Sequence, residues 1–156
     1  MKKYAKIIND ATKQCNVAIG DNEAFYKSIG FMELEVEEDH TGNWYIKGYL
    51  PEGTLTKLKE YKIQQIKLKA NQIIESTEYY PLFKQLNIQR EYSLNPNGET
   101  SSGTTNIELF NEMNSFINSI RDQSNTMEET VNRYTTIDEV ENFEIEYITT
   151  EETTSE

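Results

Sequence analysis

The segment over residues 105–134 constrains the fold more than any other part of the chain. Its apolar side chains recur at alternating steps of three and four residues, a spacing that places one stripe along one face of an α-helix. Thr105 and Glu108 have the spacing of a capping box, so the predicted helix begins there. The stripe consists of Phe110, Met113, Ile117, Ile120, Met127, Val131 and Tyr134, with Ser124 as its one polar position.

This stripe predicts contact with another helix, and two partners fit it. A heptad-spaced stripe of this length is typical both of self-association in a coiled coil and of packing inside one chain. A second predicted helix over residues 55–76 carries lysines on its outer side, which complement the acidic long helix in an antiparallel pair. Ser124 would weaken a coiled-coil seam, so it favours the intrachain hairpin.

The first 50 residues predict a small antiparallel head with the element order ββαββ. Runs of alternating apolar and polar residues are typical of strands that bury one face, and turn residues separate these runs. Asn22 has the position of an N-cap and Gly30 that of a C-cap for the short helix between the strand pairs. The predicted strands cover residues 3–9, 15–19, 31–37 and 44–49.

The second half of the chain is predicted to be mainly helical. Residues 82–90 predict a short helix between the two long ones, and residues 95–106 predict a polar surface loop. Thr136 and Glu139 form a second capping box, which opens another short helix. Residues 143–147 alternate in polarity like an edge strand.

A Pro-Glu-Gly sequence at residues 51–53 marks the clearest domain boundary. The predicted fold class is therefore α+β, with a small antiparallel head followed by a helical hairpin that contains the long amphipathic helix. The predicted divisions are a head over 1–50, a linker over 51–54, a helical region with a short C-terminal helix and strand over 55–148, and an acidic disordered tail over 149–156.

The composition excludes several classes of partner. Hydrophobic residues make up 36% of the chain, which is too few for one large core. The net charge of −12 argues against nucleic acid and membrane as partners, because both require a basic face. No apolar run is long enough to cross a bilayer, and none follows the basic N-terminus as a signal peptide requires. We therefore expect a protein that acts in a cytoplasm or leaves it within a larger particle.

The chain offers little catalytic or metal-binding chemistry. His40 is the only histidine and lies in a predicted turn, where a solvated role is more typical than catalysis. With Cys15 as the only cysteine, neither an intrachain disulfide nor a zinc site can be assembled. No phosphate-binding, dinucleotide-binding or serine-hydrolase motif is present. We expect no enzymatic activity, cofactor or metal.

Aromatic side chains are the stronger indication of function. Ten tyrosines and one tryptophan are many for so polar a chain. Trp44, Tyr45 and Tyr49 lie on one predicted strand, whose successive side chains point to opposite faces. Either some of them contact a partner, or they form the outer wall of a thin core. The predicted partner-binding residues are these three aromatics together with the stripe of the long helix.

Several segments resemble a known class of small phage proteins. Residues 3–9, 25–30 and 42–49 are similar to the N-terminal module of small proteins encoded beside tail-fibre genes in phages and prophages of clostridia and their relatives. The layout of a β-rich head, a linker and a helical tail is similar to that of tail-fibre assembly proteins. Residues that resemble the helical part of such proteins are 81–87, 113–121 and 136–140.

The resemblance implies a phage tail accessory protein that acts on a tail fibre or receptor-binding protein, with no catalytic residues to carry over. As an assembly chaperone, the role we favour, it would hold the tip of the fibre during trimerisation in the bacterial cytoplasm. As a structural component it would stay in the fibre or baseplate of the virion tail. A third hypothesis is an acidic inhibitor of a host protein, although clustered acids are confined to residues 33–39 and the C-terminal tail.

Overall fold

A computed structural model describes residues 1–149 and shows a mixed α+β protein, as predicted. These residues form a four-stranded antiparallel sheet and five helices, the longest of which confirms the helix expected from the stripe. The chain divides into two compact units, a first unit over residues 1–60 and a second unit from residue 61 onward. The elements are β1 (Lys2–Asn9), β2 (Gln14–Gly20), α1 (Glu23–Ser28), β3 (Val36–Glu38), β4 (Trp44–Ile46), α2 (Thr54–Ile74), α3 (Leu82–Leu94), α4 (Asn106–Arg133) and α5 (Ile137–Glu141).

The first unit is built on a sheet with the strand order β1-β2-β4-β3. β1 and β2 form its longest pairing, which runs from Lys2 opposite Gly20 to Asn9 opposite Gln14. Only four apolar side chains of this unit are buried, so its core is small. Its buried apolar residues are Tyr4, Ala5, Cys15 and Tyr45.

The predicted strand over residues 31–37 is wrong in its first half. Met32 exchanges two backbone hydrogen bonds with Ala5 of β1, at 2.8 and 2.9 Å, whereas β3 begins at Val36 and pairs with β4. β1 and β3 are the two outer strands of the sheet. The chain therefore passes from one edge to the other between Met32 and Val36 and cannot continue as a single strand. An alternating pattern does not reveal which edge each residue reaches.

Both predicted caps of α1 are confirmed. The Asn22 side chain accepts a hydrogen bond of 3.1 Å from a backbone N–H of the first turn. At the other end, Gly30 N donates to Lys27 O at 3.1 Å. Phe31 N donates to Tyr26 O at 2.9 Å, which completes a Schellman motif. Gly30 has a φ of +90°, a left-handed conformation that glycine adopts without steric penalty.

We expect Gly30→Ala to lower the free energy of unfolding of the first unit by about 1 kcal/mol, since an L side chain disfavours this conformation. The nearest atom to an added Cβ would be Lys6 Cε at 3.5 Å, an ordinary contact, so crowding adds little. Urea unfolding followed by the fluorescence of Trp44, the only tryptophan, measures the change. Gly30→Asn is the matched control with a smaller loss, because Asn tolerates the left-handed region better. Equal losses would contradict the backbone explanation.

The second unit has a core to which three helices contribute. Lys67 of α2 forms an ion pair with Glu128 of α4 at 3.4 Å. The α2 residues that follow Lys67 join α4 residues that precede Glu128 in the core, so α2 and α4 run antiparallel. α3 adds one buried side chain to the same cluster. The buried members of this helical core are Ala70, Ile74, Ile88, Met113, Ile117 and Ile120.

Both predicted capping boxes are confirmed. Thr105 Oγ1 accepts a hydrogen bond from Glu108 N at 3.3 Å, and Glu108 Oε2 accepts one from Thr105 N at 2.8 Å. Thr136 and Glu139 repeat both contacts at the start of α5. Hydrogen bonds from the Thr105 backbone and hydroxyl hold the pKa of Glu108 below its usual value. The capping boxes therefore correctly predicted where both helices begin.

The predicted strand over residues 143–147 is wrong. Residues 143–149 have no regular secondary structure, and no described strand pairs with them. Lys62 and Lys69 of α2, predicted to face solvent, instead donate hydrogen bonds to main-chain carbonyls of this segment. The predicted acidic tail over 149–156 lies, apart from its first residue, outside the described residues.

Candidate partner-binding surface

Only one of the three aromatic residues predicted to bind a partner is largely exposed. Tyr45 is buried in the first unit, and Trp44 is half-buried, with Lys3 Nζ 4.6 Å from the centre of its ring. β4 ends at Ile46, three residues earlier than predicted, and Tyr49 N donates to Ile46 O at 3.0 Å in the turn that follows. The Tyr49 side chain is 55% exposed. The three rings therefore do not form one continuous surface along a strand.

The apolar stripe of α4 lies mostly in the interior of the second unit. Its half-buried ends also pack on the chain's own rings: Phe110 stacks on Tyr92 with centroids 4.1 Å apart, and Tyr134 meets Phe143 edge-on at 6.0 Å. Packing inside one chain is thus the arrangement that the structure adopts. The buried members are Met113, Ile117, Ile120 and Val131, and the half-buried members are Phe110, Met127 and Tyr134.

α3 exposes an apolar face that the sequence analysis does not single out. We call this surface the α3 face; its four members are Leu82, Phe83, Leu86 and Leu94. Their exposed fractions are 61%, 77%, 55% and 68% in that order. Spacings of three, four and eight residues place them on one side of the helix, over a length of about 18 Å.

The opposite side of α3 is anchored to the second unit. Ile88 is buried in the helical core, and Tyr92 stacks on an aromatic ring of α4. Gln85 Nε2 donates a hydrogen bond to Tyr80 O at 2.7 Å, which ties the start of α3 to the preceding turn. A helix that is apolar on both sides is typical of one that is covered on both sides. The α3 face is therefore the strongest candidate for a partner-binding surface among the described residues.

The sequence pattern did not reveal this surface, because α3 carries apolar side chains on two opposite sides. A surface helix shows a clear period of 3.6 residues, and that period disappears when both sides are apolar. The available signal was an excess of apolar positions: Leu82, Phe83, Leu86 and Ile88 fall within seven residues, more than one narrow face can hold. Such an excess indicates a helix with two contact faces.

One cation lies within the α3 face. Arg90 is four residues after Leu86 and four residues before Leu94, so it shares their side of the helix. It is exposed and has no ion-pair partner within residues 1–149. On a chain with a net charge of −12, this arrangement favours a partner that brings a carboxylate to an otherwise apolar contact.

The first unit also exposes large apolar side chains, but on several elements, among them Ile8 of β1, Ile19 of β2 and Phe25 of α1. His40 is exposed in the turn between β3 and β4. Within residues 1–149, no three His, Cys, Asp or Glu side chains are grouped so that they could hold a metal ion. No helix in that range is both long and apolar enough to span a membrane. In comparisons with known proteins, the chain matches no family model, no curated protein and no solved structure.

Proposed function

We propose that this chain is a non-enzymatic phage tail accessory protein that binds a tail fibre or receptor-binding protein, acting as its assembly chaperone. The α3 face carries the proposal, because its four large apolar side chains lie on one side of a single helix and are each more than half exposed. Clustered exposed apolar side chains typically mark a contact surface. The resemblance to tail-fibre-associated proteins supplies the class of partner. In this proposal the first unit is the ββαββ head of that class, and the hairpin of α2 and α4 supports α3.

The charge on the α3 face favours a foreign partner over a second copy. An antiparallel pairing of two α3 faces about Ile88 would bring the two Arg90 positions within about 6 Å of each other along the helix axis. The face has no carboxylate to neutralise them. A fibre subunit is expected to offer an amphipathic segment of three to four turns with an acidic side chain opposite Arg90. Before the fibre trimer forms, this segment would not yet be packed against the other fibre subunits and would be free to bind the α3 face.

We expect Leu86→Glu to weaken the complex with the proposed tail-fibre partner by at least about tenfold, since a carboxylate would be desolvated in an apolar contact. The variant should keep its helical content, because Leu86 is exposed and the new carboxylate would lie four residues before Arg90, a favourable spacing. Coexpression, size-exclusion chromatography with light scattering, and calorimetric titration measure the complex.

Tyr61→Glu is the matched control, because Tyr61 is 59% exposed on α2, outside the α3 face. This variant should bind the fibre like the unchanged chain. A complex that forms during coexpression and is absent from purified particles supports the chaperone role, whereas persistence in particles assigns a structural component. Absence of any complex, or equal effects of the two variants, overturns the proposed surface.

A further inference from the structure

The chain after α5 crosses the second unit as an irregular segment, residues 142–149, which we call the C-terminal segment. Its burial alternates with a period of two. Phe143, Ile145 and Tyr147 are half-buried, whereas the two glutamates between them are exposed. This alternation is that of an extended peptide with one face against a surface.

Side chains of α2 and α4 hold the main chain of this segment. Lys62 Nζ donates to Phe143 O at 3.1 Å, and Lys69 Nζ donates to Ile145 O at 2.8 Å. Gln123 of α4 makes two bonds to one residue: its Nε2 donates to Ile148 O at 2.9 Å, and its Oε1 accepts from Ile148 N at 2.7 Å. The amide of Gln123 thereby substitutes for a neighbouring strand. Because these bonds reach main-chain atoms, they are indifferent to the side chains of the peptide.

Tyr147 provides the selective contact. Its ring packs against the helical core, and its hydroxyl donates to Ile66 O at 2.7 Å. Ser124, the polar position in the apolar stripe, is buried beside this phenol and donates to Glu128 Oε1 at 3.0 Å. A larger side chain in place of Ser124 would occupy the space next to the ring. Burial raises the pKa of Tyr147, and the Glu128 carboxylate acts in the same direction.

The C-terminal segment does not fill the channel in which it lies. One open depression beside it is lined by Gln65, Leu68 and Gln72 of α2, and a second, towards Thr149, is lined by Ile73. The two lysines that hold the segment give the channel a positive charge, which complements the acidic residues at alternate positions of the peptide. Side chains rather than a paired strand hold this irregular segment. Segments with few regular backbone hydrogen bonds open locally at low cost.

We propose that the channel between α2 and α4 is a binding site for an extended acidic peptide with apolar residues at alternate positions and a tyrosine among them. In this structure the chain's own C-terminal segment occupies the site. A partner segment with the same pattern takes its place when the C-terminal segment detaches. This site is separate from the α3 face, and its existence does not depend on the proposed function.

The test uses a labelled synthetic peptide of residues 142–149 and the full chain. Occupation by the chain's own segment lowers the apparent affinity of the unchanged protein for this peptide. Ile148→Pro removes the N–H that Gln123 accepts without altering a buried side chain, and Tyr147→Ala removes the selective contact. In fluorescence anisotropy, each variant should bind the peptide about tenfold or more tightly than the unchanged chain.

Adding Gln123→Ala to Ile148→Pro should abolish the increase in peptide affinity, because Gln123 would no longer form its two hydrogen bonds to the incoming peptide. A peptide of the same composition with the apolar alternation broken should bind at least about tenfold more weakly. Circular dichroism verifies that each variant retains its helices. Equal affinities of the unchanged chain and Ile148→Pro, or equal binding of the two peptides, overturns the proposal.

Discussion

Ile120→Ala is expected to lower the free energy of unfolding of the second unit by about 3–4 kcal/mol, the largest effect among the substitutions considered. The Ile120 side chain is fully buried in the cluster to which α2, α3 and α4 all contribute. Truncation removes apolar surface from the core and leaves a cavity that three helices cannot close without shifting together. Urea unfolding followed by circular dichroism at 222 nm measures the loss, since most helical residues belong to this unit.

Ile107→Ala is the matched control on the same helix. Ile107 is 38% exposed, so its truncation should cost less than about 1 kcal/mol. The unfolding midpoint of the unchanged chain should not vary with protein concentration, because the stripe of α4 is buried within one chain. A midpoint that rises with protein concentration would mean that the stripe packs against a second copy. Similar losses for the two variants would contradict the burial of Ile120.

Asp39→Ala is expected to destabilise the first unit by about 2 kcal/mol at neutral pH. Asp39 is 8% exposed, and its Oδ1 accepts three hydrogen bonds: from Thr41 N at 2.9 Å, Thr41 Oγ1 at 2.7 Å and Asn43 N at 2.9 Å. These bonds shape the turn that joins β3 to β4, which also contains Gly42 with a φ of +87°. Alanine would leave the donors of a partly buried turn unpaired. The fluorescence of Trp44, the first residue of β4, reports the loss during urea unfolding.

The same carboxylate predicts a pH dependence. Burial opposes the ionisation of Asp39, but hydrogen bonds from the Thr41 hydroxyl and from the N–H groups of Asn43 and Thr41 outweigh it, so its pKa lies below the usual value. A carboxyl with a lowered folded-state pKa stabilises the protein above its unfolded-state pKa of about 3.9, and this contribution is lost as the pH falls through the folded-state pKa. The first unit should therefore lose stability below about pH 4.

Asp39→Ala should remove this part of the acid dependence, so its stability should vary less below pH 4 than that of the unchanged chain. Asp10→Ala is the matched control, because Asp10 lies in the other hairpin turn with its side chain 92% exposed. Asp10→Ala should lower the free energy of unfolding at neutral pH by less than about 0.5 kcal/mol. An Asp10→Ala profile that matches Asp39→Ala would contradict the role assigned to the buried turn.

Local rules predicted the local structure well. The caps formed by Asn22, Gly30, Thr105 and Thr136 act within three or four residues, so the sequence contains all the information that they need. The stripe of α4 is likewise a property of one helix. The surface that packs against this stripe cannot be identified from one helix, so the sequence left both self-association and intrachain packing open. Ser124 favoured the intrachain arrangement, and in the structure the space beside it is taken by the Tyr147 phenol.

Sequence patterns failed where position depended on distant residues. Met32 and Val36 share one alternating run, yet they reach opposite edges of the sheet because the order of strands is set by the whole unit. The alternation over residues 143–147 predicted an edge strand, and the structure shows the alternating burial without the strand. It could not indicate that lysine and glutamine side chains, rather than a strand, would satisfy the main chain.

The sequence by itself determined the α+β class, the long helix and the ends of the helices with side-chain caps, since spacing and capping are short-range properties of a chain. The tertiary structure alone decided which apolar faces are covered. Burial depends on what other segments bring to a face: α2 and α3 cover the stripe of α4, whereas the α3 face stays more than half exposed to water. The two candidate binding sites, the α3 face and the channel between α2 and α4, follow from that distribution.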